Sequence, residues 1–182
     1  MTCLLRFDSV NCRRGGRLLF ESLDLELGAG EALQVVGPNG SGKSSLIRLA
    51  AGLLRPESGR VSAAQLALAD DNLALDRELP LRKALGFWGR EDGGLEALGL
   101  ADLAGIPVRL LSAGQRKRAA LARVAASKAP LWLLDEPANA LDTRSLDLLA
   151  AAIDRHRSAG GAVLAASHSR LPGEWPTLEL GA

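Results

Sequence analysis

Gly37-Pro38-Asn39-Gly40-Ser41-Gly42-Lys43-Ser44 constrains this chain more than any other stretch. It matches the pattern G-x-x-x-x-G-K-[ST] in the context that pattern requires: the apolar run Leu33–Val36 predicts a strand before it, and Ser45–Ala51 predicts a helix after it. The glycines let the backbone curl so that several N–H groups point into one concavity. The positive end of the helix dipole adds to the pull on phosphate oxygens. Lys43 is placed to reach the terminal phosphates of a nucleotide, and Ser44 to set its hydroxyl on Mg²⁺. Ser45, the first predicted helical residue, completes the cradle.

A strand, loop and helix of this kind need a largely parallel sheet around them. Leu66–Ala69, Leu131–Leu134 and Val163–Ala166 join Leu33–Val36 as apolar runs too brief for independent helices, and helical patterns alternate with them. Leu4–Phe7, Leu18–Phe20 and Leu23–Leu27 alternate polar and apolar residues instead, which predicts half-exposed antiparallel strands forming an N-terminal layer. From Pro80 to Ser127, Leu, Ala and Arg fall at helical spacing. Pro80 starts one helix, Gly93-Gly94 break it, Glu96–Leu100 resume it, and Ser112 caps a longer helix ending near Ser127. Gly15-Gly16 and Gly160-Gly161 predict tight turns. The fold class is therefore α/β, with a helical subdomain over about residues 73–127 inserted into one domain.

The chain has 182 residues, consistent with one domain. Its 22 basic and 21 acidic residues nearly cancel, which argues against a protein whose task is gripping nucleic acid. Aromatic residues make up 3% with no tyrosine, so little is available for stacking on bases. No apolar run approaches the roughly 20 residues that span a bilayer, and Met1–Phe7 lacks the apolar core of a signal peptide. Cys3 and Cys12 lack metal-ligand spacing and read as small buried residues in a reducing cytosol.

Leu131-Trp132-Leu133-Leu134-Asp135-Glu136 is an apolar strand with two acids at its carboxyl end, where open α/β sheets place ligands. Asp135 is predicted to hold Mg²⁺ through water. Glu136 has the chemistry of a general base for attack on a γ-phosphate. His168 follows Val163–Ala166 at the same edge, placed to hydrogen-bond that phosphate. His156 lies in a polar helix, Ser145–Ser158, and reads as a surface residue. Leu111-Ser112-Ala113-Gly114-Gln115 opens a second helix whose N-terminus suits phosphate, although one chain has no need of two.

With Asn139-Ala140-Leu141-Asp142 between Glu136 and His168, these motifs run in the order of the ATP-binding-cassette (ABC) ATPase family, which the chain resembles over nearly its whole length. Gly52–Gly59, Gly99–Val108 and Arg116–Arg123 make it similar to the CcmA-type ATP-binding subunits of cytochrome c biogenesis haem exporters. The resemblance implies a P-loop NTPase, ABC-type ATPase core that converts ATP, with Mg²⁺, to ADP and phosphate. It implies a homodimer in which Ser112, Gly114 and Gln115 close over the nucleotide of the other copy and Asp142 sits at the same interface. It further implies an integral membrane transporter subunit of the CcmB-like kind, associated haem-handling membrane proteins, and a place on the cytoplasmic face of the bacterial inner membrane. Hydrolysis there would drive release of a haem-loaded periplasmic chaperone. The alternative is a transporter for a different cargo.

Two positions depart from the family pattern. The aromatic residue that usually stacks on adenine is missing between Val10 and Arg17, and Arg14 stands nearest, with a guanidinium plane able to stack instead. The glutamine that usually touches Mg²⁺ after the second core strand is replaced, by spacing, with Asn72; Gln65 lies at the wrong end of that strand. The stretch from Asn72 to Leu111 is too short for an extra docking domain, and neither histidine sits in a C-x-x-C-H haem pattern.

Overall fold

The computed structural model describes residues 2–89 and 91–181. The N-terminal alternation folds as a long hairpin, in which β1 (Cys3–Arg14) and β2 (Arg17–Gly28) pair antiparallel around Gly15-Gly16, both left-handed at φ 54 and 79. The strands expected over Leu18–Phe20 and Leu23–Leu27 are one strand. Its interruption is an irregularity in which the Ser22 N–H donates to Asn11 Oδ1. Leu5, Phe7, Val10 and Cys12 are buried, whereas Cys3, at the very start of β1, is exposed and so departs from the expectation for both cysteines. β4 (Ser58–Ala63) pairs with the other side of β1. It has almost no apolar signature, and only Val61 is packed against the core.

The second sheet is parallel, in the order β5-β6-β7-β3-β8, with β3 at Ala32–Val36, β5 at Leu66–Ala69, β6 at Leu131–Asp135, β7 at Ala162–Ala166 and β8 at Thr177–Glu179. Each side of this sheet is buried, so its strands carry apolar residues on both faces. Leu131, Leu133, Ala162 and Leu164 face the antiparallel layer and helix α1 (Lys43–Ala50). Trp132, Leu134, Val163 and Ala165 face the opposite core, shared with α2 (Leu81–Gly86), α4 (Ala113–Ala126) and α5 (Thr143–Ser158).

Gly93 and Gly94 do not break the chain; they lie inside α3 (Glu91–Ala97). A Cβ at Gly94 would collide with Ala122 O, so the glycine buys close approach of α3 to α4 rather than a turn. Helix does not resume over Glu96–Leu100 either. α3 ends at Ala97, Gly99 takes φ 62, and a 3-10 turn follows at Ala101–Leu103.

His156 is not the surface residue its polar helix suggests. Its ring stacks on Trp132 with centroids 3.9 Å apart and planes 10° from parallel, and its Nε2 lies 3.1 Å from Pro130 O. Gly161 makes room for the ring, which a Cβ there would strike. Burial pushes the imidazole below its ordinary pKa of 6.5, outweighing the hydrogen bond to Pro130 that favours the charged form. The unfolded chain therefore takes up this proton first, and the stability contributed by the neutral ring is lost as pH falls below the unfolded value. Between about pH 7.5 and pH 5.5, Tm should fall further in the parent than in His156→Phe, which keeps the stack without the titration. Equal slopes in differential scanning calorimetry would refute this.

Candidate active site

β6, β7 and β3 are neighbours in the sheet, so the segments after their carboxyl ends converge. After β3, the loop turns through Gly37, Gly40 and Gly42 at φ 148, 81 and 109, which L side chains rarely adopt. A Cβ at Gly37 would collide with Leu180 O and stand 2.8 Å from Ser41 Oγ, because the end of β8 packs on the loop. Gly42 is the N-cap of α1 and no side chain caps it, which leaves the first helical N–H groups to a ligand.

Lys43 is 6% exposed, and its Nζ donates to Gly37 O at 2.8 Å and to Pro38 O at 3.1 Å. The ammonium is thus already held over the loop. Ser44 Oγ donates to Asp135 Oδ1 at 3.1 Å. Burial raises the Asp135 pKa; the Ser44 hydrogen bond partly relieves this, while Glu136 and Asp71 add to it. A half-buried carboxylate paired with a hydroxyl is an all-oxygen donor set of the kind Mg²⁺ takes, and a cation would offset the cost of that partial burial.

Glu136 takes φ 47, uncommon for a residue with a side chain. Its Oε2 lies 2.8 Å from His168 Nδ1, with Ser167 Oγ and the His168 N–H each at 3.4 Å. With the carboxylate ionised, Nδ1 must carry the proton it shares, so the ring holds Glu136 in place.

These groups open onto a cleft of about 570 Å³ whose lining includes Asn39, Gly40, Gly42, Lys43, Ser44, Ser45, Glu136 and His168. Arg14 lines it as well, on the side reached by the hairpin. Leu19, Arg48 and Asn139 also line it; sequence reasoning assigned Leu19 and Arg48 no role and named Asn139 only as part of the Asn139–Asp142 turn. Arg48 follows Ser44 by one helical turn, a spacing that would have found it. Ser41 stands behind the cradle: its hydroxyl is buried with no partner, and its N–H donates to Pro38 O.

Asn72, Ser112, Gly114, Gln115 and Asp142 lie elsewhere. Asn72 is exposed, does not line the cleft, and accepts the Ala74 N–H on its Oδ1 at 3.3 Å, so the amide turns back on its own loop rather than toward Ser44 and Asp135. Ser112 and Gln115 form a reciprocal capping box at the start of α4: Ser112 Oγ accepts the Gln115 N–H, and Gln115 Oε1 accepts the Ser112 N–H at 2.8 Å. Gln115 thus spends its carbonyl on the cap, while the exposed Ser112 hydroxyl keeps a proton to donate. Gly114 lies close to the loop after β6, where a Cβ would come 2.9 Å from Ala140 O. Asp142 caps α5 by accepting the Ser145 N–H at 2.8 Å, a bond that lowers its pKa.

The ABC transporter family matches residues 20–139. The cytochrome c biogenesis ATP-binding export protein CcmA of Sphingopyxis alaskensis is 57% identical, over 94% of this chain and 93% of its own length. That of Novosphingobium aromaticivorans is 56% identical over 93% and 91%. A solved structure of an ABC transporter ATP-binding subunit superposes with a TM-score of 0.85, covering 98% of this chain and 88% of its own; at 20% identity this speaks to the fold alone. The chain belongs to the ABC transporter ATPases, in the family of cytochrome c biogenesis ATP-binding export proteins of the CcmA type.

Proposed function

We propose that two copies of this chain, on the cytoplasmic face of the bacterial inner membrane, hydrolyse ATP to drive a haem-handling transporter of cytochrome c maturation. The observation that carries the chemistry is the Glu136–His168 pair facing Lys43 and Ser44 across one cleft. The ATP phosphates lie in the loop, where the Lys43 ammonium exchanges two loop carbonyls for phosphate oxygens. Ser44 and Asp135 would hold Mg²⁺, which when bound offsets charge on the phosphates. Glu136 takes the proton of the attacking water, and His168 fixes the direction of its carboxylate. Arg14 and Leu19 form the wall toward the adenine. The exposed Ser112 hydroxyl and Gly114 of a second copy complete the site, which a single copy leaves without them.

The haem assignment follows the relatives, whose names place them in cytochrome c biogenesis. Among the described residues no helix is long and apolar enough to cross a membrane. A groove of about 560 Å³ that includes Leu53, Leu66, Trp88 and Arg123 supports a CcmB-like integral membrane subunit as partner. Leu53 on its lining and Phe87 beside it are 66% and 85% exposed. Deleting the gene should abolish haem-stained cytochrome c in the host, and the parent but not Glu136→Gln should restore it. Cytochrome c maturation that survives the deletion would point to a different cargo.

A further inference from the structure

The backbone of Glu136 is held by more than its own strand. The peptide joining Asp135 to Glu136 is fixed at both poles: its N–H donates to Ala166 O of β7 at 2.8 Å, and its carbonyl accepts from Lys117 Nζ at 3.1 Å. Directly after this peptide, Glu136 turns through φ 47, a conformation that a glutamate keeps only when its surroundings impose it. Lys117 is half-buried in α4, three residues beyond Gly114 and outside the cleft lining. Burial lowers its pKa, while Asp71, Asp135, Glu136 and Asp70 act to keep it charged. Its ammonium therefore sits among the acids at the catalytic edge but is aimed at a carbonyl.

We infer that Lys117 is a positioning residue for Glu136: it clamps the 135–136 peptide and thereby sets where the general base points. It is carried on the helix whose first turn is the Ser112–Gln115 cap. The same clamp thus links the segment that would meet the other copy's nucleotide to this copy's own base. A shift of α4 on nucleotide closure would be felt at Glu136 without passing through solvent. This inference rests on the ATPase reading above and on Glu136 as its base.

The test is steady-state ATP hydrolysis by full-length dimer, with ATP affinity and Tm measured alongside. Lys117→Met keeps the apolar stem and removes the donor; kcat should fall about 10- to 100-fold while KM for ATP stays within about twofold. Lys117→Arg, which keeps the charge and the donors, should recover most of that loss. Because Lys117 acts through Glu136, Lys117→Met placed on Glu136→Gln should lower kcat no further. Parent-like kcat in Lys117→Met, a matching rise in KM, failure of Lys117→Arg to recover activity, or additive losses in the double variant would each overturn the inference. If Lys117→Met melts early, unchanged ATP affinity still separates positioning from misfolding. If Glu136→Gln itself turned over like the parent, the assignment of the base would fall instead.

Discussion

Glu136→Gln lowers kcat for ATP hydrolysis by about 10²- to 10⁴-fold, the usual contribution of a positioned general base. The substitution is nearly isosteric, so the φ 47 backbone, the bond from its N–H to Ala166 O and the contact with His168 all have a counterpart in the variant. What it removes is the capacity to accept a proton from water. ATP affinity should stay within about threefold, because the loop and Lys43, which the proposed function assigns to the phosphates, lie on another strand's end. Phosphate release and nucleotide binding, measured on one preparation, check both halves. A variant that hydrolyses like the parent would remove Glu136 from the chemistry.

Lys43→Ala acts on binding instead. The buried ammonium makes two charge-assisted hydrogen bonds within the loop, which ATP would replace with phosphate oxygens. Loss of such a contact is worth about 1.5 to 3 kcal/mol, or roughly a 10- to 150-fold weaker Kd. Gly37 O and Pro38 O also lose their donor, so the empty loop itself should loosen. Titration with a fluorescent ATP analogue measures the loss, and a Tm near the parent's would show that it is local. Unchanged affinity would contradict the placement of the phosphates.

The parts of the site readable in the sequence are those whose chemistry is local. Gly37 to Ser44 needs its own glycines, one lysine and a helix start, and the short apolar β6 and β7 announce their carboxyl ends through Asp135, Glu136 and His168. What escaped was decided by contacts far along the chain. His156 looks solvated by helical periodicity, yet it stacks on Trp132 because the last turn of α5 lies over the start of β6. Gly93 and Gly94 look like a break until Ala122 and its helix are set against them. Asn72 had the right distance along the chain from β5, but hydrogen bonds within Asp70–Ala74 turn it away. Lys117 lies within Arg116–Arg123 but is given no role there, and its meaning appears only when Asp135 O is seen above it. β4 and β8 lack an apolar pattern because their pairing partners, not their side chains, make them strands.

If, as proposed, Ser112 and Gly114 of another copy complete the site, two chains are the working unit. The molar mass of Glu136→Gln in solution, measured by light scattering with and without Mg²⁺ and ATP, tests this most directly. The mass should double when ATP is present and return to that of one chain when it is removed. A variant that binds ATP to saturation and remains a single chain would contradict a shared site.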